Sequence, residues 1–449
     1  MCQQDFIRTE RIDCTSLNGA MPLGFADLKS DSVLIKDFGV KIYRCRGISE
    51  IKKVVAEIFS AVKLPDNRDA LILIKPNLNS DMIGITGNTT DLRLISSIVE
   101  HLKELGFSNI VVADGTSSGF INAGINVIAR LRLEKMGEKL GFSVLDLNRA
   151  PYKMVWIGSE KLKLAKICLD CDFFINLPKL KTHAEAGMSV CMKSLLGCVV
   201  GLDKQKMHNN LPKNIWLLAK EIQPQIHIID ALFAMEGTGP SRGLPKRLDT
   251  IISGSDPFLI DAFCARLVGF DISSIPYLRV AEQNSKEVSK KTERVQSISL
   301  ESLSFARPTP GFLFKLVNNR SYRKFFVRLR YAPLLHHLLS SDLLSVPLYS
   351  MKIRQDMFMK KDAKITRVKY VNSSCGNCFL CSEVCPMTID IPNRLNTSDR
   401  CIHCLYCYFV CPKGNIDVVG SFGHFKYQLD KYQGLVQKVA KKVPHEVKF

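Results

Sequence analysis

The sequence contains no run of 18 or more apolar residues, so we expect no helix that spans a membrane. The first 20 residues lack an apolar segment followed by a small-residue cleavage site, which favours a cytoplasmic location. No G-x-G-x-x-G follows a predicted strand, and no G-x-x-x-x-G-K-[ST] occurs anywhere. A standard nicotinamide site is therefore not supported, and a P-loop is absent.

Cysteine is abundant, with sixteen among 449 residues, and half of the cysteines lie in one short stretch. In a long chain without a secretion signal, such a cluster is more typical of metal ligands than of a disulfide scaffold. The stretch holds two copies of the pattern C-x2-C-x2-C-x3-C-P, offset by 26 residues. The first copy begins at Cys375 and the second at Cys401.

This pattern is the cysteine run of two-cluster ferredoxins, so it predicts two [4Fe–4S] clusters. In such proteins the fourth cysteine of each copy ligates the cluster of the other copy. Structural zinc is the alternative, but zinc sites use paired CxxC units, and this pattern repeats a triplet followed by Cys-Pro. Residues 371–420 resemble the two-cluster bacterial ferredoxins, which form a small α+β domain. The expected ligands are Cys375, Cys378, Cys381 and Cys411 for cluster 1, and Cys401, Cys404, Cys407 and Cys385 for cluster 2.

Short apolar strands alternate with helical stretches over much of the first 270 residues. This alternation predicts an α/β domain with a mostly parallel sheet and flanking helices. The expected strands are 71–74, 110–113, 143–147, 173–177, 226–229 and 250–253, and the expected helices are 50–62, 91–105, 127–140, 188–196 and 257–268. Asp91 and Asp256 are placed as helix N-caps.

Polar side chains follow several of these strands, and ligands of open α/β sheets bind at the carboxyl ends of the strands. We therefore predict a shared pocket there for a small ligand. The lysines suit a carboxylate or phosphate, and the carboxylates with His183 suit a divalent metal or proton transfer. The candidate catalytic residues are Lys181, His183, Asp114 and Glu236, and the candidate ligand-binding residues are Lys75, Asn77, Thr116, Lys179 and Lys193.

The strings KPNL, VVADGTS, INLPKLKTH, MKSLLG and IIDALFAMEGTGP together resemble the DUF362 family, over roughly residues 33–270. Members of that family often carry a two-cluster ferredoxin at the C-terminus. The resemblance supports this domain layout and a redox role, but supplies no substrate. Many members have asparagine where this chain has Ser194, so its ligand preference is open.

The predicted organisation has five parts. They are a polar lead-in (1–30), a DUF362-like α/β domain (31–300), a basic, partly helical connector (301–370), a ferredoxin domain (371–420) and a basic C-terminal tail (421–449). Within the α/β domain Cys168, Cys171, Cys191 and Cys198 include a single CxxC. Burial as small apolar side chains is the simpler explanation for them, and a further metal site is the alternative.

Residues 312–370 carry thirteen Lys or Arg and three Asp or Glu, so about half of the net charge of +19 lies there. Basic and aromatic side chains alternate around Arg323, Lys324, Phe325, Phe326 and Arg328. An acidic redox partner such as a ferredoxin or flavodoxin, an anionic membrane surface and simple packing on the α/β domain all fit this segment. Nucleic acid is disfavoured, because no nucleic-acid-binding module surrounds the segment.

The sequence predicts an iron–sulfur electron-transfer protein. One hypothesis is a reductase, an oxidoreductase that passes electrons between two [4Fe–4S] clusters and a small ligand in the α/β domain. The alternative is a non-enzymatic electron carrier, or an assembly subunit that binds a partner.

Overall fold

The computed structural model describes residues 39–300, 302–309, 311, 341–351, 357–371, 375 and 378–441. The strands, numbered β1 to β13 in chain order, are Val40–Arg44, Ile72–Pro76, Ile110–Asp114, Ser143–Asp146, Tyr152–Ile157, Glu160–Ala165, Phe173–Leu177, Lys179–His183, Gly187–Ser189, Ile226–Glu236, Leu244–Gly254, Lys364–Tyr370 and Ile416–Ser421. The basic segment around Arg323, Lys324, Arg328 and Arg330 lies outside the described residues.

The helices of the first 300 residues are Ile48–Ser60, Leu92–Glu104, Ser118–Asn122, Val127–Arg130, Leu133–Leu140, Ile167–Asp170, Cys191–Ser194, Lys204–Met207, Leu211–Glu221, Pro257–Leu267, Pro276–Gln283 and Lys286–Ser297. The later helices are Asp342–Ser350, Leu380–Glu383, Ile391–Arg394, Tyr406–Val410 and Phe425–Lys441. Within the described ranges, no helix combines the length and apolar character needed to cross a membrane.

The central sheet has the strand order β1-β11-β10-β7-β2-β3-β4. Strands β10, β7, β2, β3 and β4 run parallel, whereas β11 pairs antiparallel with both β10 and β1. Strand β8 continues alongside β10 and pairs with β9. The prediction of an α/β domain with a mostly parallel sheet is confirmed.

Strand residues alternate between two apolar cores, as the period of two in a strand requires. Ile72 and Ile74 pack into the core that holds helices Ile48–Ser60 and Leu92–Glu104, whereas Leu73 packs into the opposite core with helices Leu211–Glu221 and Pro257–Leu267. Both faces of the sheet are covered, which explains why the central strands are continuous apolar runs.

The two predicted N-caps are confirmed, because Asp91 accepts from Arg93 N and Asp256 accepts from Phe258 N and Leu259 N. The predicted helix 127–140 is wrong as one element, since Arg132 has φ 66° and separates two helices. Much of the predicted helix 188–196 is instead strand β9 and helix Cys191–Ser194, separated by the non-helical Val190.

The cysteine-rich part, residues 364–441, is called the cysteine module below. Its two strands β12 and β13 pair antiparallel, and short helices carry the cysteine loops. The predicted basic tail is an integral part of the fold, because helix Phe425–Lys441 buries Phe425, Tyr432 and Val436 completely. Apolar residues of the module and of helix Leu92–Glu104 belong to one continuous core.

Hydrogen bonds join the module to the loop that follows β2. The Tyr406 hydroxyl accepts from Gly84 N at 3.1 Å and from Leu92 N at 3.3 Å. The Gln428 side chain accepts from Ile83 N at 3.0 Å and donates to Asp81 O at 2.8 Å. These buried contacts fix the loop against the cysteine module.

We expect Tyr406→Phe to lower the free energy of unfolding by about 1–3 kcal/mol, because two buried backbone N–H groups lose their acceptor. Chemical denaturation of identically prepared proteins measures the change. Tyr408→Phe, at a half-buried position, is the control and should change stability little. Equal stabilities for Tyr406→Phe and the parent would contradict this account of the joint.

Candidate functional site

Lys75, at the end of β2, forms a buried ion pair with Asp114, at the end of β3. The two groups are 2.7 Å apart, and Lys75 also donates to Ser194 O at 2.8 Å. Burial by itself would lower the pKa of Lys75, but the Asp114 carboxylate outweighs it, so the pKa is raised. A Cβ at Gly197 would lie 2.1 Å from Asp114 Oδ1, so only glycine permits this close approach.

A second buried group combines two cations and two carboxylates. Lys179 contacts Asp230 at 2.8 Å, Asp230 accepts from Asp91 N at 2.6 Å, and Asp91 pairs with Arg93 at 2.8 Å. Burial raises the pKa of Asp91, but Arg93 more than offsets this, so the net shift is downward. The group is neutral as a whole, which is the arrangement that buried charges require.

Lys181, at the middle of β8, is held by three oxygen acceptors. Its ammonium donates to Asn77 Oδ1 at 2.7 Å, to Asn88 O at 2.6 Å and to Asn79 Oδ1. Lys75, Lys179 and Lys181 are each at most 1% exposed. Lys75 and Lys179, predicted to bind ligand, and Lys181, predicted to be catalytic, therefore hold strand ends and loops together in this conformation.

His183 ends β8 in a cationic environment. Its Nδ1 accepts from Glu185 N and Ala186 N, both at 3.2 Å, so the neutral ring carries its proton on Nε2. Burial, followed by the charges of Lys193 and Lys181, lowers the pKa of His183 well below its ordinary value. Lys193 is half-buried, and His208 lies nearby in a 2.9 Å contact with Glu185.

Thr116 and Glu236, two further predicted site residues, bind partners other than the lysines and carboxylates described above. Thr116 binds Asn148 through its hydroxyl at 3.1 Å, and its carbonyl accepts from Lys204 at 3.1 Å. The Glu236 carboxylate contacts Lys246 at 3.2 Å and accepts from Ala306 N at 3.2 Å. The structure thus brings Lys75 together with Asp114 and Asn77 together with Lys181, while the Glu236 carboxylate is engaged with β11 and the 302–309 segment.

Sequence reasoning missed Lys204, Arg93 and Asp261. Burial lowers the pKa of Lys204 to about 8, while burial of Asp261 raises its pKa to about 7. Asp261 accepts from Cys191 N at 2.7 Å and from Met192 N at 3.1 Å, so it caps the helix that bears Lys193. The partners of Lys204 and Asp261 lie far away along the chain, so no local motif marks these two residues, whereas Arg93 pairs with Asp91 two residues earlier.

The eight cysteines of the module line two cavities. A cavity of about 360 Å³, called the first cavity, is lined by Cys375, Cys378, Cys381 and Cys411. A cavity of about 340 Å³, called the second cavity, is lined by Cys385, Cys401, Cys404 and Cys407. Both volumes include space open to solvent. Each cavity takes three cysteines from one copy of the repeat and the fourth from the other copy.

The sequence repeat extends to the backbone. Phe379 (φ 37°) and Leu405 (φ 64°), one residue after the second cysteine of each copy, are both left-handed. Thr388 (φ 54°) and Gly414 (φ 66°), which are also equivalent in the repeat, share that conformation. Non-glycine residues seldom adopt positive φ, so its recurrence at equivalent positions indicates two loops that curl in the same way.

Asn415 donates to sulfur atoms of the first cavity. Its backbone N–H lies 3.2 Å from Cys411 Sγ, and its side-chain Nδ2 lies 3.3 Å from Cys375 Sγ. Among the described residues, no group of three or more His, Cys, Asp or Glu has the spacing that holds a single metal ion. Cys168, Cys171, Cys191 and Cys198 are free cysteines, and only Cys171 is not fully buried.

Residues 72–266 match the model of the family described as Domain of unknown function (DUF362), so this part of the chain is similar to that family. A curated relative is the thylakoid-associated protein sll1697 of Synechocystis sp., 28% identical over 225 residues that make up 47% of this chain and 67% of that protein.

Among solved structures, the lactate racemase apoprotein of Thermoanaerobacterium thermosaccharolyticum matches with a TM-score of 0.34 and 12% identity. The match covers 51% of this chain and 56% of the racemase, so it spans little more than half of that protein.

Proposed function

We propose that this chain is an iron–sulfur electron-transfer protein whose cysteine module holds two [4Fe–4S] clusters beside a DUF362 domain. One observation carries the proposal: eight cysteines line two cavities in two sets of four, and the sets exchange their fourth members. The same exchange is the ligation rule of two-cluster ferredoxins.

The donor chemistry fits such clusters. Thiolates are soft ligands that suit iron–sulfur clusters, and the cysteines are the polar groups shared by the two cavity linings. A single zinc ion would bring its sulfurs to roughly 3.8 Å from one another, given Zn–S bonds of about 2.3 Å. A four-iron cube binds its thiolates at four separate corners, so its cysteine sulfurs lie farther apart than those around one zinc ion. The cysteines of this chain fit that spacing better, because no group of described residues is close enough to hold a single metal ion.

Each bound cluster would supply reversible one-electron transfer. The chain contributes the surroundings. Apolar side chains such as Ile389, Ile402 and Leu405 exclude water from the second cavity. Asn415 donates to two sulfurs of the first, and hydrogen bonds of that kind stabilise the more negative, reduced state.

The second cavity adjoins the α/β domain. Tyr406, which lines this cavity, is fully buried and binds the backbone at Gly84 and Leu92. Leu92 directly follows Asp91, which belongs to the buried ion-pair group with Arg93, Asp230 and Lys179. We therefore propose that electrons exchanged with the DUF362 domain pass through the second cavity. The first cavity lies closer to solvent at Phe379, which lines it and is 53% exposed.

A second candidate function is reduction of a small anionic ligand in the DUF362 domain. The observation that favours it is the neutral His183 beside Lys193 and Lys181, because an imidazole N–H and nearby cations suit an anion. The burial of Lys75, Lys179 and Lys181 in internal contacts favours the carrier alternative instead.

We also propose an acidic redox partner, on the basis of the +10 net charge of residues 312–370. Contact with an anionic membrane surface is the competing proposal for the same segment. The curated relative is described as thylakoid-associated, which is compatible with a peripheral membrane contact. A cytoplasmic location remains the default proposal.

Anaerobically reconstituted protein should contain about eight iron and eight sulfide per chain, as two four-iron clusters require. Elemental analysis and visible absorption before and after dithionite addition measure this content. A chain that takes up zinc instead, or binds only about four iron, would show that the cluster proposal is wrong.

Exchange of the fourth ligand predicts a crossed effect of substitution. In reconstituted Cys385→Ala, Cys401, Cys404 and Cys407 should become open to alkylation, while Cys375, Cys378, Cys381 and Cys411 stay protected. Cys411→Ala, the matched variant, should give the reverse pattern, and mass spectrometry of alkylated peptides reads both. Exposure of Cys375, Cys378 and Cys381 in Cys385→Ala would mean that each copy ligates its own cluster.

If the DUF362 domain binds a small anion at His183, phosphate or acetate at constant ionic strength should raise the thermal midpoint of the parent. His183→Ala should lose that response while retaining its full iron content. His101→Ala, on helix Leu92–Glu104, is the control and should respond like the parent. A response that survives in His183→Ala would remove His183 from the proposed site.

A further inference from the structure

Arg132 lies where the sequence predicts an uninterrupted helix and the structure has a break. It is the residue before helix Leu133–Leu140, with φ 66° and ψ 20°. A left-handed conformation is unfavourable for arginine and persists only where the surrounding structure imposes it. The break turns the Arg132 side chain toward the cysteine module, where its guanidinium lies 6.0 Å from the centre of the Phe425 ring.

The guanidinium of Arg132 is incompletely satisfied. Its Nε and Nη2 atoms are buried and have no hydrogen-bond partner among the described residues. Burial lowers the pKa of Arg132, and the sulfur of Cys404 is the first group that counteracts this effect. A buried donor without an acceptor is costly, so such groups call for an explanation.

A second orphaned polar atom lies beside the same cysteine. His403 Nδ1 is buried and has no partner in the part of the chain that the structure describes. His403 lines the second cavity together with Cys404, and the charge of Arg132 is one of the causes that lower the pKa of His403. Unsatisfied polar atoms thus occur on His403, which lines this cavity, and on Arg132, whose charge acts on His403 and is felt by Cys404.

Other cations surround the second cavity as well. Burial raises the pKa of Cys401 and of Cys385. The charge of Lys135, one turn after Arg132, opposes this effect at Cys401, and the charge of Arg400 opposes it at Cys385. Arg400 also pairs with Glu100 at 3.2 Å, and both Lys135 and Arg400 are exposed. Exposed charges are screened by solvent, so the half-buried Arg132 is the cation with the strongest expected effect.

We propose that Arg132 of the DUF362 domain stabilises the reduced state of the cluster held in the second cavity, and so directs electrons toward this domain. The inference rests on the proposed function. Reduction adds one electron from a low-potential donor and transfers no proton. The added negative charge lies near a fixed cation in a poorly solvated place, where a charge acts more strongly than in water. Asn415 contributes neutral hydrogen-bond dipoles to the first cavity, whereas Arg132 contributes a full charge near the second.

The test compares four reconstituted proteins: the parent, Arg132→Gln, Arg132→Lys and the control Arg149→Gln. Gln and Lys share the backbone restriction of Arg at positive φ, and Arg149 is exposed three residues after the end of β4. Iron content is measured first, and redox titration followed by electron paramagnetic resonance then gives both reduction potentials. The signal lost in Cys385→Ala identifies the cluster of the second cavity.

In Arg132→Gln the cluster of the second cavity should become harder to reduce. At the ambient potential that half-reduces it in the parent, its ratio of reduced to oxidised form should fall on the order of tenfold. Arg132→Lys should recover most of this ratio, and the other cluster should be unaffected. Arg149→Gln should match the parent in both clusters.

Unchanged potentials in Arg132→Gln, or equal shifts of both clusters, would overturn the inference while leaving the proposed function intact. A parent without iron would overturn both. If Arg132→Gln fails to retain the cluster of the second cavity, Arg132→Lys decides. Retention of this cluster at a potential near that of the parent supports the role of charge, and loss in this variant too assigns Arg132 a purely structural role.

Discussion

One arrangement in the cysteine module organises the rest of the structure: each cavity is lined by a cysteine from the opposite copy of the repeat. Cys411 completes the first cavity and Cys385 the second, so neither loop can close a cavity without the other. Strands β12 and β13 and helix Phe425–Lys441 bring the copies together, and the same helix seats the module on the α/β domain. The module and the sheet therefore share one apolar core.

The contact between the cysteine module and the α/β domain lies next to a group of buried charges in that domain. Tyr406 contacts the second cavity on one side and, through Leu92, the loop that carries Asp91 on the other. Behind it, Lys179, Asp230, Asp91 and Arg93 neutralise one another with almost no exposure. In the proposed function, this group adds no net charge, so the half-buried Arg132 is the cation expected to act most strongly on the second cavity.

Much of the fold could be predicted, because apolar runs mark buried strands: β7 coincides with the predicted 173–177, and Asp91 and Asp256 cap their helices. The hairpin of β5 and β6 was missed. Strand β5 is largely exposed, whereas β6 alternates polar residues with the buried Leu162 and Leu164, which is a strand signal too short to stand out. The site was less predictable. Lysine is almost never fully buried unless paired, so local sequence gives no sign that Lys75 and Lys179 are interior ion-pair partners. Their partners Asp114 and Asp230 are brought close only by the sheet, and the break at Arg132 left no mark in the helical periodicity.

The most direct test is anomalous X-ray diffraction at the iron absorption edge, measured on crystals of the anaerobically reconstituted protein. The account predicts two separate iron-scattering centres of equal strength, one in each cavity, with Cys411 ligating the first and Cys385 the second. A single iron centre, scattering at the zinc edge alone, or a centre whose four cysteines come from one copy of the repeat would contradict it.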